Sequence, residues 1–183
     1  MTLAVLKKWT CLEFQRLADI GAFQPTDKIE LIEGMIVEMS PQNYPHGLAI
    51  TRATSLLVRL FDKTHYVRVQ LPLNVGLTSQ PEPDFALVRR EIMDAGSTHP
   101  DRADLVIEVS ESSLSFDRGE KMLVYGRGGF PEYWIVNVVD GVLEVHREPD
   151  AQVGYRSRQV WKKTDKVAPL FRPNVSLLVS KLF

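Results

Sequence analysis

Three side chains in this sequence stand where their chemistry calls for an explanation: Glu108, Asp84 and Lys121. Glu108 sits inside LVIEV (105–109), with apolar neighbours on both sides, and a carboxylate there is costly to desolvate unless something compensates it. Asp84 opens DFALV directly after Pro81-Glu82-Pro83, whose rigid rings would fix its exit angle in a purely structural strand start as well as in a ligand site. If the two segments are neighbouring strands, their carboxylates converge on one hard divalent cation, which prefers oxygen ligands and keeps several waters. Mg2+ is then the expected ion, with Mn2+ as the alternative. Lys121 lies on a following helix that can fold its ammonium back over this place, where it would orient an attacking water and stabilise charge developing on a phosphate. Taken without the acids, it reads as a solvated helix lysine.

Those residues need a scaffold, and the hydrophobic pattern supplies one. Thr10 and Glu13 have capping-box spacing and open a helix that should end near Gly21. KIELIEGMIVEM (28–39) predicts a hairpin turning at Glu33-Gly34, and 46–61 places Ile50, Ala53, Leu56, Leu57 and Leu60 at helical spacing. YVRVQLPLNV (66–75), DFALV (84–88) and LVIEV are rich in β-branched or aromatic residues and predict central strands. The polar stretch between the last two predicts a surface loop with at most a helical turn. Residues 115–127 predict a helix stopped by Gly128-Gly129, followed by a hairpin through Asp140-Gly141, a strand near 155–161 and an apolar tail. The expected fold is α/β, a mixed β-sheet flanked by helices with extra hairpins, in a single domain over 1–183.

Composition limits the alternatives. The chain has 183 residues, 44% hydrophobic and 25% charged, enough for one sizeable core. No apolar run approaches the ~20 residues of a membrane-spanning helix, so no membrane partner and a cytoplasmic location are expected. A single cysteine, Cys11, makes an internal disulfide impossible and a zinc site improbable, and suits a small buried apolar position. With a net charge of -1 the protein cannot coat nucleic acid indiscriminately, so any such contact is local. The stretch 146–166 carries six Arg or Lys against three acids, which suits a phosphate-contacting strip or a solvated hairpin face.

At this point the residues resemble a family. PEPDFALV, followed by DLVIEVSESSLSFDRGEKMLVYGRGGFPEYWIVN and preceded by KIELIEGMIVEMSPQNYPHG, is similar to the Uma-two family, grouped with restriction endonucleases in the restriction-endonuclease-like PD-(D/E)XK superfamily. The resemblance runs from about Trp9 to Val142. It implies that Asp84 is the motif aspartate, Glu108 the second metal-binding acid, and Lys121 a catalytic lysine supplied by the following helix. The superfamily's usual lysine lies two residues after the acid, where this chain has Ser110. Glu30 matches the glutamate of the ELIEG-like start, so the resemblance gives it a place at the same cation or on a water the cation holds. His46 is also in a family-like position, suited to a phosphate contact, to proton removal or simply to capping a helix. Tyr125, Tyr133 and Trp134 fit the pattern too, and packing explains them adequately.

The leading expectation is therefore Mg2+-dependent hydrolysis of a phosphodiester in nucleic acid, with DNA as the expected substrate and Asp84, Glu108, Lys121 and Glu30 as the site. A catalytically silent nucleic-acid or protein-binding module on the same fold is the alternative. A glycosidase reading of the acids is disfavoured by the lysine and by the lack of aromatic residues clustered near both acids. The resemblance implies a homodimer, since nucleases of this kind commonly pair their sites to cut two strands and two-fold oligomers are the commonest, with the C-terminal half as the expected interface through its apolar tail VSLLVSKLF.

Overall fold

The computed structural model describes residues 5–24 and 26–183. Its centre is a six-stranded mixed sheet in the order β3-β4-β5-β6-β7-β8. The strands are β3 (His65–Val69), β4 (Phe85–Arg89), β5 (Leu105–Ser110), β6 (Glu132–Asn137), β7 (Val142–Asp150) and β8 (Gly154–Lys162). β5 and β6 run parallel, and the other neighbours are antiparallel.

Every residue of β5 and β6 is buried, which is why these strands read as nearly continuous apolar runs rather than alternating ones. One face of the sheet, through Ile107, Val109, Trp134 and Val136, packs on the long helix α2 (Tyr44–Phe61), from which Ala53, Leu57 and Phe61 enter the core. The other face, through Ala86, Val106, Tyr133 and Ile135, meets Val124 and Tyr125 of a segment made of α4 (Leu114–Phe116), a π-helical turn (Asp117–Lys121) and α5 (Met122–Arg127). Each fully buried aliphatic side chain contributes roughly 1.5–3 kcal/mol, so these two layers hold the sheet between them. Gly126 of α5 lies so close to the Gly154 backbone that a Cβ there would overlap it, which fixes how near the helix comes to β8.

The remaining elements hang on this frame. α1 (Cys11–Asp19) begins with the full capping box between Thr10 and Glu13, worth about 1 kcal/mol. β1 (Ile29–Ile32) and β2 (Met35–Glu38) form the separate hairpin, with Glu33 and Gly34 both at positive φ, as a two-residue turn between twisted strands requires. The short α3 (Arg90–Ala95) follows β4. Cys11 is only half-buried, its thiol reaching the Ser79 carbonyl at 3.3 Å.

Three expectations change. The strand expected over 66–75 ends at Val69, because Gln70 adopts φ 51 and turns the chain away. The helix over 115–127 is interrupted by the π turn. The apolar tail does have partners in its own chain: β10 (Leu177–Leu178) pairs with β9 (Lys166–Val167), and Leu177, Val179 and Leu182 are buried in the core beneath α2. That face is used up and does not offer a dimer interface. Among the described residues no helix is long and apolar enough to cross a membrane.

Candidate nuclease site

β4 and β5 are adjacent and antiparallel, with Phe85 opposite Ile107 and Ala86 opposite Val106. One step further in that register, Asp84 faces Glu108, and directly opposed residues project on the same face of a sheet. Each carboxylate accepts from the other's strand: the Asp84 amide donates to Glu108 Oε2 at 3.2 Å, and the Val109 amide donates to Asp84 Oδ2 at 2.8 Å. Both residues are buried, Glu108 to 3% exposure.

Around them lies a cleft of about 300 Å³, closed by the β1–β2 hairpin, the start of α2 and the segment after β5. Four buried carboxylates line it: Glu30, Asp84, Glu108 and Asp117. Lys121, 2% exposed, enters from the π turn and bridges two of them, at 2.9 Å from Glu30 Oε1 and 3.0 Å from Glu108 Oε1. The Tyr125 hydroxyl donates to Glu108 Oε1 at 2.8 Å. Asp84 Oδ1 takes the Gln70 amide at 3.1 Å and lies 3.2 Å from His46 Nε2. Asp117 Oδ2 accepts from the Ser110 and Ser113 hydroxyls, each at 2.6 Å. Glu30 Oε2, buried at the same place, has no hydrogen-bond partner.

The electrostatics follow from this crowding. Burial pushes the Glu108 carboxyl well up, against the pull of Lys121 and with the charges of Asp117, Asp84 and Glu30 adding to it. Glu30 and Asp117 are raised mainly by burial as well. Burial works against the Lys121 ammonium, but Glu108, Glu30 and Asp117 outweigh it and hold its pKa above the usual value. Lys121 is therefore a fixed positive charge at neutral pH and not a base. His46 loses by burial and gains more from Asp84, for a net upward shift.

A family profile described as "Uma2: Putative restriction endonuclease" matches residues 12–180. The chain belongs to this family. A crystal structure of a putative nuclease belonging to DUF820 from Anabaena variabilis is 16% identical, covers 95% of this chain and 97% of its own, and superposes with a TM-score of 0.74. It shows the restriction-endonuclease-like α/β fold of this Uma2 chain. The type IIG restriction endonuclease BpuSI also aligns, over 66% of this chain and 14% of its own, at 12% identity and a TM-score of 0.42, too low to argue from. A search of curated proteins finds no match.

The structure thus brings Asp84, Glu108, Lys121 and Glu30 to one cleft, and His46 joins them by its ring. Ser110, in the place of the superfamily's usual lysine, is fully buried and turned to Asp117. Tyr133 and Trp134 serve the two cores, whereas Tyr125 packs and also holds Glu108. Sequence reasoning missed Asp117 and Gln70. Asp117 had a signal: Ser113, Asp117, Lys121 and Tyr125 recur every four residues, a polar ridge on one helical face. Gln70 had none, because its aim depends on a backbone turn that a β-rich sequence does not announce.

Could a hard cation sit here? The donors are carboxylate oxygens, and Glu30 Oε2 makes no hydrogen bond of ordinary geometry. Among the described residues no set of three or more His, Cys, Asp or Glu stands ready to enclose a metal. An all-oxygen donor set is the chemistry that a hard divalent cation takes, with water completing its shell.

Proposed function

We propose that this protein is a divalent-metal-dependent endonuclease, hydrolysing phosphodiester bonds of DNA in the cleft at Asp84 and Glu108. The reading rests on one observation: four buried carboxylates, with a histidine at the rim, crowd round one buried lysine that pairs with only two of them. Family membership points the same way.

In this reading Asp84 and Glu108 are the metal ligands, and Mg2+ or Mn2+ bound there would activate a water and withdraw charge from the scissile phosphate. The chain's own residues do the remaining work. Gln70 and the Val109 amide fix the orientation of Asp84, and Tyr125 and the Asp84 amide fix Glu108. Lys121, always protonated, places a positive charge beside the reacting phosphate. Glu30 holds Lys121 through one oxygen and keeps the other free for a water. His46 stands at the rim, within reach of a phosphate or of a proton leaving the attacking water. The chain acts as one domain over 1–183. Its pairing into a homodimer rests on the need for two cuts in duplex DNA, and sedimentation at micromolar concentration checks it: a monomer removes that part.

The test is cleavage of plasmid, single-stranded DNA and RNA in Mg2+ or Mn2+. Glu108→Gln is expected to abolish cleavage, with partial recovery at excess metal if other oxygens hold the ion. Lys121→Met is expected to cut more slowly, by roughly 10²–10³-fold, with no response to added metal. One observation favours the silent-module reading: in the state seen, most carboxylate lone pairs at Asp84 and Glu108 are already taken by protein donors. A wild-type protein that cuts none of these substrates in either metal would make that reading the correct one.

A further inference from the structure

Glu108 is not the only acid on its row of the sheet. Reading across the register, Glu108 pairs with Ile135, Ile135 with Glu144, and Glu144 with Val160. Glu144 is therefore two strands from Glu108 on the same face, about 10 Å away at ordinary strand spacing. It is fully buried.

Two guanidinium groups close on it. Arg118, from the same π turn that sends Lys121 to Glu108, places Nε 3.1 Å from Glu144 Oε1 and Nη2 closer still. Arg158, from the edge strand β8, places Nε 3.1 Å and Nη2 2.9 Å from Oε2. The Asn137 amide adds a bond at 3.2 Å, and His146 Nε2 stands off at 3.7 Å. Each arginine spends its Nε and Nη2 edge on the carboxylate, and neither Nη1 has a protein acceptor among the described residues. Their side chains are 40% and 51% exposed, so solvent reaches both guanidinium-bearing chains. One carboxylate needs one cation; here it orients two, with the exposed Asp140, which accepts from Asn137, as the neighbouring acid. Of the six basic residues in 146–166, Arg147 and Arg156 are committed to Glu132 and Asp150, while Lys162 continues the Arg158 side of β8.

We propose that Arg118 and Arg158, locked in place by Glu144, form a subsite for a backbone phosphate of the nucleic-acid substrate, beside the one being cut. The inference rests on the nuclease reading above. Guanidinium forks match phosphate geometry, and a carboxylate that fixes them beforehand removes the entropy of ordering two long side chains on binding. The ~10 Å offset suits a phosphate roughly two to three nucleotides along the strand. Because the π turn carries both Arg118 and Lys121, a strand seated on the first is aligned with the second.

The experiment is fluorescence anisotropy of the full chain with a short labelled DNA duplex, without metal, from about 50 to about 200 mM salt. Arg158→Gln is expected to weaken binding on the order of tenfold, equally for unrelated sequences, and to make the slope of log K against log salt shallower by about 0.9. Arg118→Gln should do the same. If that variant does not fold, Arg158→Gln on the edge strand decides alone, with a melting curve to show that it is intact. A wild type that binds and cuts while Arg158→Gln keeps its affinity and salt slope overturns the subsite and leaves the nuclease reading standing. A wild type that neither binds nor cuts overturns both.

Discussion

Glu108 and Glu144 share a row of the sheet, a face and almost complete burial, yet their surroundings treat them in opposite ways. Glu108 is crowded by Asp84, Glu30 and Asp117 with Lys121 as the nearby cation, and its carboxyl is pushed well up by burial. At Glu144 burial is outweighed by His146, Arg118, Asn137 and Arg158, which hold its carboxyl far below the usual range. A protein that can surround one buried acid with two arginines has the means to neutralise another, and at Glu108 it stops short. A buried carboxyl left under-compensated in a cleft supports the proposed cation site, and a fully compensated one supports the proposed anchor.

The largest expected effect on stability comes from removing the cation at the crowded end. Lys121→Met should destabilise by about 3–5 kcal/mol, because it leaves Glu30 and Glu108 buried without their partner. Those carboxyls can escape by taking up protons, so the loss should be smaller at pH 5 than at pH 8. Adding Glu108→Gln to Lys121→Met should recover part of it. Denaturant titration of the single and double variants measures both effects, and a double variant no more stable than Lys121→Met would break the contrast.

A smaller loss is expected at the other end. Glu144→Gln should cost about 1–3 kcal/mol, since both arginines are half exposed and can turn to water, or roughly 2–12 °C in Tm. Its pH dependence should have the reverse sign. A depressed folded-state pKa contributes stability that is present above the unfolded value of about 4.3 and is lost as pH falls through the folded value. The raised pKa of Glu108 favours the folded state at low pH and loses that contribution as pH rises above about 4.3. Melting curves across acid pH should therefore show Glu144→Gln converging on wild type as pH falls. Divergence there would mean the ion pairs do not act as described. The smallest effect is at Ser113→Ala, which removes one of two hydroxyls from Asp117 and should cost about 1 kcal/mol.

Much of this contrast was legible in the sequence, and the reasons differ by residue. Glu108 stood out because it interrupts an apolar strand, and Asp84 because prolines deliver it to the head of the neighbouring one. Neighbouring antiparallel strands then left little freedom in where the two carboxylates went. Lys121 was readable as a helix residue at a workable distance, but the π turn that seats it was not, since one residue's change in helical pitch barely alters hydrophobic spacing. Glu144 drew no reading in VLEVH, because nothing local shows that Arg118 from the π turn and Arg158 from the next strand make its burial tolerable. The tail was misjudged for a similar reason. Its partners on α2 are more than a hundred residues earlier in the chain, so nothing local could reveal them.

The most direct test of the account is calorimetric titration of Mg2+ and Mn2+ into wild type, Glu108→Gln and Glu144→Gln under identical conditions. Wild type and Glu144→Gln should bind the ion alike, and Glu108→Gln should bind it at least about tenfold more weakly, as expected when one of few ligands is lost. Ion binding that is absent in wild type, or that is the same in Glu108→Gln, would contradict the claim that the crowded acid is the one built for a metal.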